Sequence, residues 1–348
     1  MKAKKQKLLI VLLAFIWHLT AYSQAVYVDS NVGNDKNPGT RESPVFSVDK
    51  AVEIIKSKQN NSYTIKINPG IYVLNKPVSV STEKDITNKR IVIEATVLPD
   101  DSSWIPEKMP VIISISGKGE VPGENYHFVV SFLINENNVT IRGLKFPGYF
   151  YPNTRYFPIA RFNKSKTDLL VEQCLFVGDD DASHIQVGII AHGNKIRIDH
   201  CIFYKARNSA VFWQDSGDGL KSGNGITNSI IYGASQSGVW TAWPDKDFLF
   251  KNNIVSNCKH FWIKNQENPT VYSIDSCLIV NNRFYQAIAG SNVIPEKFEL
   301  KENNVLKEGE IALRQKEADV HKPLPIDYLH VIQSSPGYNL RAGLFKNR

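Results

Sequence analysis

The chain has 348 residues, of which 42% are apolar and 22% charged, and it contains 37 Trp, Tyr and Phe residues but only two Met. This composition excludes a disordered chain and allows a sizeable core, and four Cys in this length exclude a disulfide scaffold. The formal net charge of +7 indicates an acidic partner, such as nucleic acid, an anionic membrane or an acidic polysaccharide.

Residues 1–23 have the pattern of a secretory signal peptide. Four Lys in the first seven residues precede the apolar run 8–19, which is shorter than the roughly 20 residues of a membrane span. Ala21 and Ser23 fit the cleavage-site pattern, so Gln24 is the expected new N-terminus, with an uncleaved anchor as the alternative. Loss of the four Lys lowers the net charge from +7 to +3, so the charge alone no longer supports an anionic partner. We expect export to the periplasm, the cell surface or the extracellular space, with no membrane span in the mature chain.

Residues 24–62 are expected to form a strand and a cap at the start of the fold. A turn rich in Gly, Asn and Pro follows the strand, and Ser47 then fits the N-cap of a short helix that ends near Ser57. The apolar face of that helix would comprise Val48, Ala51, Val52 and Ile55. Such a cap protects the open end of a β-solenoid from aggregation.

An apolar pattern recurs seven times between residues 139 and 306, at intervals of 24 to 30 residues. Each copy has an apolar anchor and a second apolar residue five positions later. The anchors are Ile141, Val171, Ile198, Ile226, Phe250, Ile274 and Leu300. Short β-segments at a period near 26, without helical periodicity between them, predict an all-β coiled solenoid whose coils stack about 4.8 Å apart.

The cysteines support this repeat. Cys174, Cys201 and Cys277 occupy the same repeat position, three residues after the anchor, whereas Cys258 does not. Stacked in an interior ladder, they are expected to be buried free thiols. Cys201 and Cys277 would lie about 14 Å apart, beyond the reach of a disulfide. A Cys174–Cys201 disulfide between adjacent coils is the alternative.

A second strand is expected about a dozen residues after each anchor. The segments are 184–190, 209–215, 237–243, 259–265 and 285–290. Residues 24–348 are therefore predicted to form one parallel β-helix domain, with coils over 63–310 and a closing segment over 311–348. Long excursions or loops are expected at 98–109, 117–127 and 147–165.

Three segments carry a family resemblance: YVDSNVGNDKNPGTRESPVFSVDKAVEII (27–55), YTIKINPGIYV (63–73) and DYLHVIQSSPGYNLRAG (327–343). The chain resembles secreted right-handed parallel β-helix proteins of the pectin-lyase-like superfamily. The resemblance implies export and a right-handed parallel β-helix with a short N-terminal capping helix. It leaves the activity open, because that superfamily includes polysaccharide lyases, glycoside hydrolases, epimerases, esterases and proteins with no known reaction.

The second strands suggest a substrate-binding face. If Val211, Val239 and Phe261 face inward, alternation turns the next residue of each strand outward. The outward column would then comprise Phe212, Trp240 and Trp262, with Gln214 and Trp243 as further substrate-binding candidates. Stacked aromatic rings fit the apolar face of a sugar, and coverage by a long loop is the alternative.

Acidic and basic residues follow these strands, coil after coil. The candidate catalytic residues are Asp215, Asp218, Lys221, Asp245 and Lys264. Carboxylates in matched turns would lie about 5 Å apart, which suits a retaining glycosidase pair or a Ca²⁺ site. The candidate Ca²⁺ ligands are Asp215, Asp218, Asp245 and Asp247. A lysine beside the acids could instead supply the cation and base of a polysaccharide lyase. An ordinary turn role for these acids is the alternative.

The turn GDDDASH is a second candidate catalytic site. It contains Asp179, Asp180, Asp181 and His184. Adjacent Asp residues after Gly resemble the polygalacturonase motif, but the companion motifs of that family are missing at the right spacing. A solvated acidic turn is the alternative.

Basic residues are spread along the chain, which argues against nucleic-acid binding. The leading hypothesis is an exported, carbohydrate-active β-helix that cleaves a polysaccharide by lyase elimination or by glycoside hydrolysis. The alternative is a non-catalytic glycan-binding or structural solenoid.

Overall fold

The computed structural model describes residues 24–57, 62–81, 89–115, 128–149, 154–179, 181–213, 222–315 and 322–347. These ranges contain one α-helix, α1 (Val48–Lys56), the 3₁₀ turns Pro106–Lys108 and Tyr338–Leu340, and 26 strands. The first strands are β1 (Gln24–Val28), β2 (Ser62–Ile67), β3 (Ile71–Leu74), β4 (Val78–Val80), β5 (Arg90–Ala95), β6 (Val111–Ser114), β7 (Phe128–Ile134), β8 (Val139–Arg142), β9 (Lys145–Pro147), β10 (Arg155–Arg161), β11 (Thr167–Glu172), β12 (Leu175–Val177) and β13 (Val187–Ala191). The remaining strands are β14 (Asn194–Asp199), β15 (Ile202–Tyr204), β16 (Asn208–Phe212), β17 (Gly225–Thr227), β18 (Ile230–Tyr232), β19 (Ser237–Thr241), β20 (Leu249–Lys251), β21 (Ile254–Ser256), β22 (His260–Asn265), β23 (Tyr272–Val280), β24 (Phe284–Ala289), β25 (Val293–Ile294) and β26 (Leu300–Leu306).

The strands form two sheets that wrap around one core, a right-handed parallel β-helix. A coil such as β11–β12–β13 contributes two strands to the 17-stranded sheet and one strand to the 9-stranded sheet. We call the column of strands that contains β11 the first face, the column that contains β12 the second face, and the 9-stranded sheet the third face. Equivalent strands of successive coils pair in parallel.

A bend separates the first face from the second in the six coils from β8–β9 to β23. The bend residue is left-handed, with φ of 72° at Gly143, 53° at Gln173, 50° at His200, 51° at Asn228, 57° at Asn252 and 53° at Ser276. Glycine and asparagine tolerate this conformation better than other residues. The repeated bend therefore fixes where each of these coils turns.

The predicted core ladder is confirmed for six of the seven anchors. Ile141 pairs with Val171, and the pairing continues coil by coil to Ile274. The last anchor is wrong by two residues, because Ile274 pairs with Glu302 rather than Leu300. An apolar pattern could not find this register, since the last coil has a carboxylate at the inward position.

The prediction for Cys174, Cys201 and Cys277 is confirmed, because all three are buried free thiols, and Cys258 is one as well. The ladder also has internal hydrogen bonds. The backbone N–H of Cys201 donates to Ser229 Oγ over 3.1 Å, and that of Ser229 donates to Asn253 Oδ1 over 3.0 Å. Small polar residues at this position therefore bond from coil to coil.

The N-terminal cap has the predicted residues. Ser47 is the N-cap of α1 and accepts from the backbone N–H of Lys50. The buried face of α1 comprises Val48, Ala51, Val52 and Ile55. This face packs into the main core cluster and contacts β1, β2 and β4.

The C-terminal residues 311–315 and 322–347 run along the outside of the second face, and we call these residues the strap. It covers an outward aliphatic ladder of one residue per coil: Leu175, Ile202, Ile230, Ile254 and Leu278. Leu329 and Leu344 of the strap are buried against this ladder. The amide of Gln173 donates to the carbonyl of Leu344 over 2.8 Å, which anchors the end of the strap.

Charges at the end of the first face pair with one another. Glu94 contacts both Lys66 and Arg142, and Arg142 also lies 3.4 Å from Glu172. Glu172 and Asp199 are acidic neighbours in adjacent coils, and the strap places Lys346 against both carboxylates. We call these six residues the ion ladder.

One of the predicted loops is wrong, and a second cannot be compared with the structure. The segment 147–165 contains strand β10 of the third face, so it is not a long loop. The excursion 117–127 lies outside the described residues. Within the described ranges, no helix has both the length and the apolar character needed to cross a membrane.

A corner groove as the candidate functional site

The predicted outward aromatic column does not form. Phe212 is 3% exposed and Trp262 is fully buried, and both belong to the main core cluster. Phe261 and Trp262 both pack on Phe250 inside the helix. The assumption that successive residues alternate between the inner and outer faces therefore fails in these strands. An error of one residue in the assumed register places every predicted outward residue on the inner face.

Trp240 is the one member of that predicted column that faces outward. It is half-buried, packs near Trp213 with ring centroids 6.0 Å apart, and donates from Nε1 to Asn265 Oδ1 over 2.8 Å. Trp213 was not a candidate. Trp243 is also half-buried, and its carbonyl accepts from Asn268 and Tyr272. The two neighbouring indoles form a small aromatic patch on the third face.

Asp245 and Lys264 lie inside the fold, although they were predicted as catalytic residues of an outward face. Asp245 is 3% exposed, and neither of its carboxylate oxygens has a hydrogen-bond partner among the described residues. Burial raises the pKa of Asp245 to about 6, and the nearby Asp247 carboxylate adds to the rise. Lys264 is buried with its ammonium 4.7 Å from the ring of Phe298, and burial lowers its pKa. Neither group is placed to meet a polysaccharide.

Several predicted site residues lie outside the described part of the chain. They are Asp180, Gln214, Asp215, Asp218 and Lys221. Asp247 is described: it is exposed and accepts from the backbone N–H of Gly223 over 3.1 Å. Among the described residues, no group of three His, Cys, Asp or Glu could hold a metal ion. The predicted Ca²⁺ site therefore stays a prediction.

In the turn 178–184 the structure describes Asp179, Asp181 and His184, and Asp179 lies close enough to His184 for their charges to interact. Asp179 accepts from the backbone N–H groups of Asp181 and Ala182 over 2.8 Å, and these bonds lower its pKa. Asp181 is exposed. His184 is exposed as well, but it lines a groove at the corner between the second and third faces. We call this feature the corner groove.

The corner groove has a volume of about 830 Å³ and follows the N-terminal ends of the third-face strands. Its polar lining residues are Thr154, Arg155, His184, Gln186, Arg207, Ser235, Gln236, Lys259 and His260, and Val293 completes it. No acidic residue is among these lining residues. The groove is thus cationic, because three of its side chains carry a fixed positive charge.

Hydrogen bonds order the floor of the groove. Arg207 donates from Nε to Gln236 Oε1 over 2.9 Å. His260 Nδ1 lies 2.8 Å from the carbonyl of Gln236, so Nδ1 carries the proton and Nε2 is left as an acceptor. Burial lowers the pKa of His260, and the nearby charges of Lys259 and Arg283 lower it further.

Arg207 and Lys259 are exposed, and within the described ranges no ion pair involves either of them. In contrast, the cations of the ion ladder all contact carboxylates. Cations that have no ion pair among the described residues attract anionic ligands and strengthen their binding. The geometry therefore fits an anion that is long enough to span several coils.

Apart from His184, the residues of the groove were not identified as candidates from the sequence. Gln186, Arg207, Gln236 and Lys259 directly precede the observed third-face strands β13, β16, β19 and β22. The predicted strand bounds do not show this column, because Gln186 lies inside the predicted segment 184–190 and Arg207 lies two residues before the predicted segment 209–215.

Comparison with protein families gives a match over residues 164–313 to the family described as right handed beta helix region. The matched region contains the strands from β11 to β26. Together with the observed coils, this match confirms the predicted right-handed parallel β-helix fold. No curated protein sequence matches the chain.

Solved structures also resemble the chain. A rhamnogalacturonan lyase is 15% identical with a TM-score of 0.49, over 83% of this chain and 77% of the other. XylC in complex with xylose is 11% identical with a TM-score of 0.44, over 89% of this chain and 73% of the other. A lacto-N-biosidase from Eubacterium ramulus is 10% identical with a TM-score of 0.33, over 82% of this chain and 55% of the other.

Proposed function

We propose that the protein binds an anionic polysaccharide in the corner groove and cleaves it by β-elimination. The observation that carries the proposal is the pair of unpaired cations, Arg207 and Lys259, in a groove that also holds the exposed His184. A uronate carboxylate on these cations would have its negative charge neutralised. Neutralisation makes the adjacent carbon-bound proton easier to remove.

The elimination needs one base and one leaving group. His184 takes the proton from carbon 5 of the uronate, since a neutral imidazole nitrogen can act as a general base. The electron pair of that bond forms the double bond between carbons 4 and 5. The bond from carbon 4 to the glycosidic oxygen breaks, and this oxygen takes a proton from water. The product is an unsaturated sugar, and His184 returns its proton to solvent.

Hydrolysis is less well supported at this groove. A glycosidase needs two carboxyl groups, about 5 Å apart in retaining enzymes and about 6.5–9.5 Å apart in inverting ones. The described lining residues of the groove include no carboxyl group, and Asp245 is buried elsewhere. Cations and a histidine suit elimination better than hydrolysis.

The predicted signal peptide supports action outside the cytoplasm, where extracellular polysaccharides are found. N-terminal sequencing of protein recovered from the exported fraction tests this. A new N-terminus near Gln24 is expected. A full-length chain retained in the cytoplasm would contradict export.

The activity is tested by incubating the protein with anionic and neutral polysaccharides, with added Ca²⁺ or with a chelator. Products that absorb ultraviolet light are expected from anionic substrates only. New reducing ends without this absorbance would indicate hydrolysis. Binding without either product would favour the non-catalytic glycan-binding alternative. Loss of product in the chelator would support the predicted Ca²⁺ site.

Variants separate binding from chemistry. His184→Asn is expected to lower product formation at least 100-fold while binding changes less than threefold. Arg207→Gln is expected to weaken binding about tenfold. Arg90→Gln removes an exposed arginine from the first face and is the matched control. Equal effects of Arg207→Gln and Arg90→Gln would contradict the assignment of the groove.

Trp240 offers a separate contact for sugar rings on the third face. Trp240→Ala is expected to reduce retention of the protein by immobilised polysaccharide in affinity electrophoresis. Unchanged mobility would exclude an aromatic platform at this position.

A further inference from the structure

The residues that precede the third-face strands form one column along the corner groove. The backbone N–H groups of Asn208, Ser237 and His260 donate to the carbonyl of the column residue in the preceding coil, over 3.1–3.2 Å. The column residues in those coils are Gln186, Arg207 and Gln236, and Lys259 follows in the next coil. The column is thus fixed by the backbone of the solenoid.

The chemistry of this column alternates between amide and cation. Gln186 and Gln236 are half-buried amides, whereas Arg207 and Lys259 are exposed cations. The hydrogen bond from Arg207 to Gln236 holds the guanidinium beside the amide of the next coil. Arg283 continues the column in the next coil, but its guanidinium lies over the ring of Phe284 and does not line the groove.

The distance between the cations of the column determines how far apart the negative charges of a matching ligand must be. Successive coils lie about 4.8 Å apart, so Arg207 and Lys259 are separated by about 10 Å. An extended polysaccharide advances by a similar distance per sugar ring as the solenoid does per coil. A chain laid along the axis would therefore meet a cation at every second sugar. Between the cations it would meet an amide, which can donate to and accept from hydroxyl groups.

We propose that the corner groove selects a polysaccharide in which an anionic sugar alternates with a neutral sugar. This inference rests on the proposed function, because it specifies the substrate of the same groove. Each anionic group binds at Arg207 or Lys259, and each neutral sugar lies over Gln186 or Gln236. A polymer with a carboxylate on every sugar would place every second charge against an amide.

The test compares binding of oligosaccharides of equal length by isothermal titration calorimetry. Hyaluronan and rhamnogalacturonan fragments represent the alternating pattern, and polygalacturonate and alginate fragments represent the uniform one. The alternating class is expected to bind at least tenfold more tightly. Equal or tighter binding of the uniform class would overturn the inference while leaving the proposed function intact. Failure of both classes to bind would overturn the proposed function itself.

Two variants make the test specific to the column. Gln236→Lys and Gln186→Lys each place a cation at a neutral position, so each is expected to reduce the preference for the alternating class to threefold or less. The second variant provides a test if the first fails to fold. Lys301→Gln changes an exposed residue of β26 in the other sheet and should leave the preference unchanged. An unaltered preference in a folded Gln186→Lys or Gln236→Lys protein would overturn the inference.

Discussion

The ion ladder and the corner groove differ in whether their charged side chains form ion pairs. In the ion ladder, each cation contacts a carboxylate of its own coil stack, and Lys346 of the strap joins the two acidic neighbours Glu172 and Asp199. In the groove, Arg207 and Lys259 have no ion pair among the described residues. Charges that are paired internally stabilise the fold, whereas unpaired charges are available to a ligand. Stability and binding should therefore respond to substitutions in different regions.

The largest expected effect is on the strap. Leu329→Ala removes a fully buried side chain that packs on the second-face ladder. Its loss should lower the free energy of unfolding by about 3–4 kcal/mol, measured by chemical denaturation. Ile326→Ala, at an exposed strap position, is the control and should change it by less than about 0.5 kcal/mol. Equal effects would show that the strap does not stabilise the second face.

The second largest effect on stability is expected at Asp245, a buried carboxylate in the turn that follows a third-face strand. The folded pKa of Asp245 is about 6 against an ordinary value of 3.8, so the folded state binds more protons than the unfolded state between these values. The free energy of unfolding should therefore fall as the pH rises through this window. Asp245→Asn should remove this dependence and stabilise the protein by about 2 kcal/mol at pH 7.

Denaturation curves between pH 3 and 8 measure the Asp245 effect. Asp181→Asn, which removes a carboxylate from an exposed turn, is the control. A variant with unchanged pH dependence would show that Asp245 does not titrate in this range.

A substitution in the ion ladder should lower the free energy of unfolding by less than the Leu329→Ala substitution in the strap does. Glu172→Gln removes the buried carboxylate that contacts Arg142 and Lys346. The expected loss is about 1–2 kcal/mol, because the two cations keep partial contact with solvent. Glu53→Gln breaks the exposed Lys50–Glu53 pair on α1 and should cost less than about 0.5 kcal/mol. An equal loss of unfolding free energy in both variants would show that the ion ladder stabilises the fold no more than an exposed ion pair does.

The last coil has a paired charge at an inward position. Glu302 accepts from Tyr285 over 2.8 Å and pairs with Lys307 at 2.5 Å, at the edge strand β26. An inward charge at an edge opposes the addition of another strand. Glu302→Ile should leave the monomer folded but promote self-association, detected by light scattering over a concentration series. A variant that stays monomeric, as the Lys301→Gln control should, would contradict this role.

The smallest effect on stability is expected in the corner groove. Arg207→Gln and Lys259→Gln should each change the free energy of unfolding by less than about 0.5 kcal/mol, since neither side chain has an ion pair to lose within the described ranges. The same variants should weaken binding of anionic polysaccharide. Substantial destabilisation would mean that these cations support the fold and are not free for a ligand.

The sequence determined the coil period, the interior ladder, the free cysteines and the capping helix. Each is encoded locally, because one apolar or small side chain per coil must face the interior. The pattern failed at Glu302, where a charge replaces the expected apolar residue. It also failed at Phe212 and Trp262, because two successive residues of one strand, Phe261 and Trp262, both face the core.

Only the tertiary structure identified the strap, the ion ladder and the corner groove. The contact between Gln173 and Leu344 joins residues that are 171 positions apart, and no local pattern encodes such a distance. The groove likewise depends on stacking, because Gln186, Arg207, Gln236 and Lys259 become one surface only when four coils lie in register. Each repeat of this solenoid encodes its own core residues. The groove, in contrast, is formed by side chains from several repeats, so no single repeat encodes it.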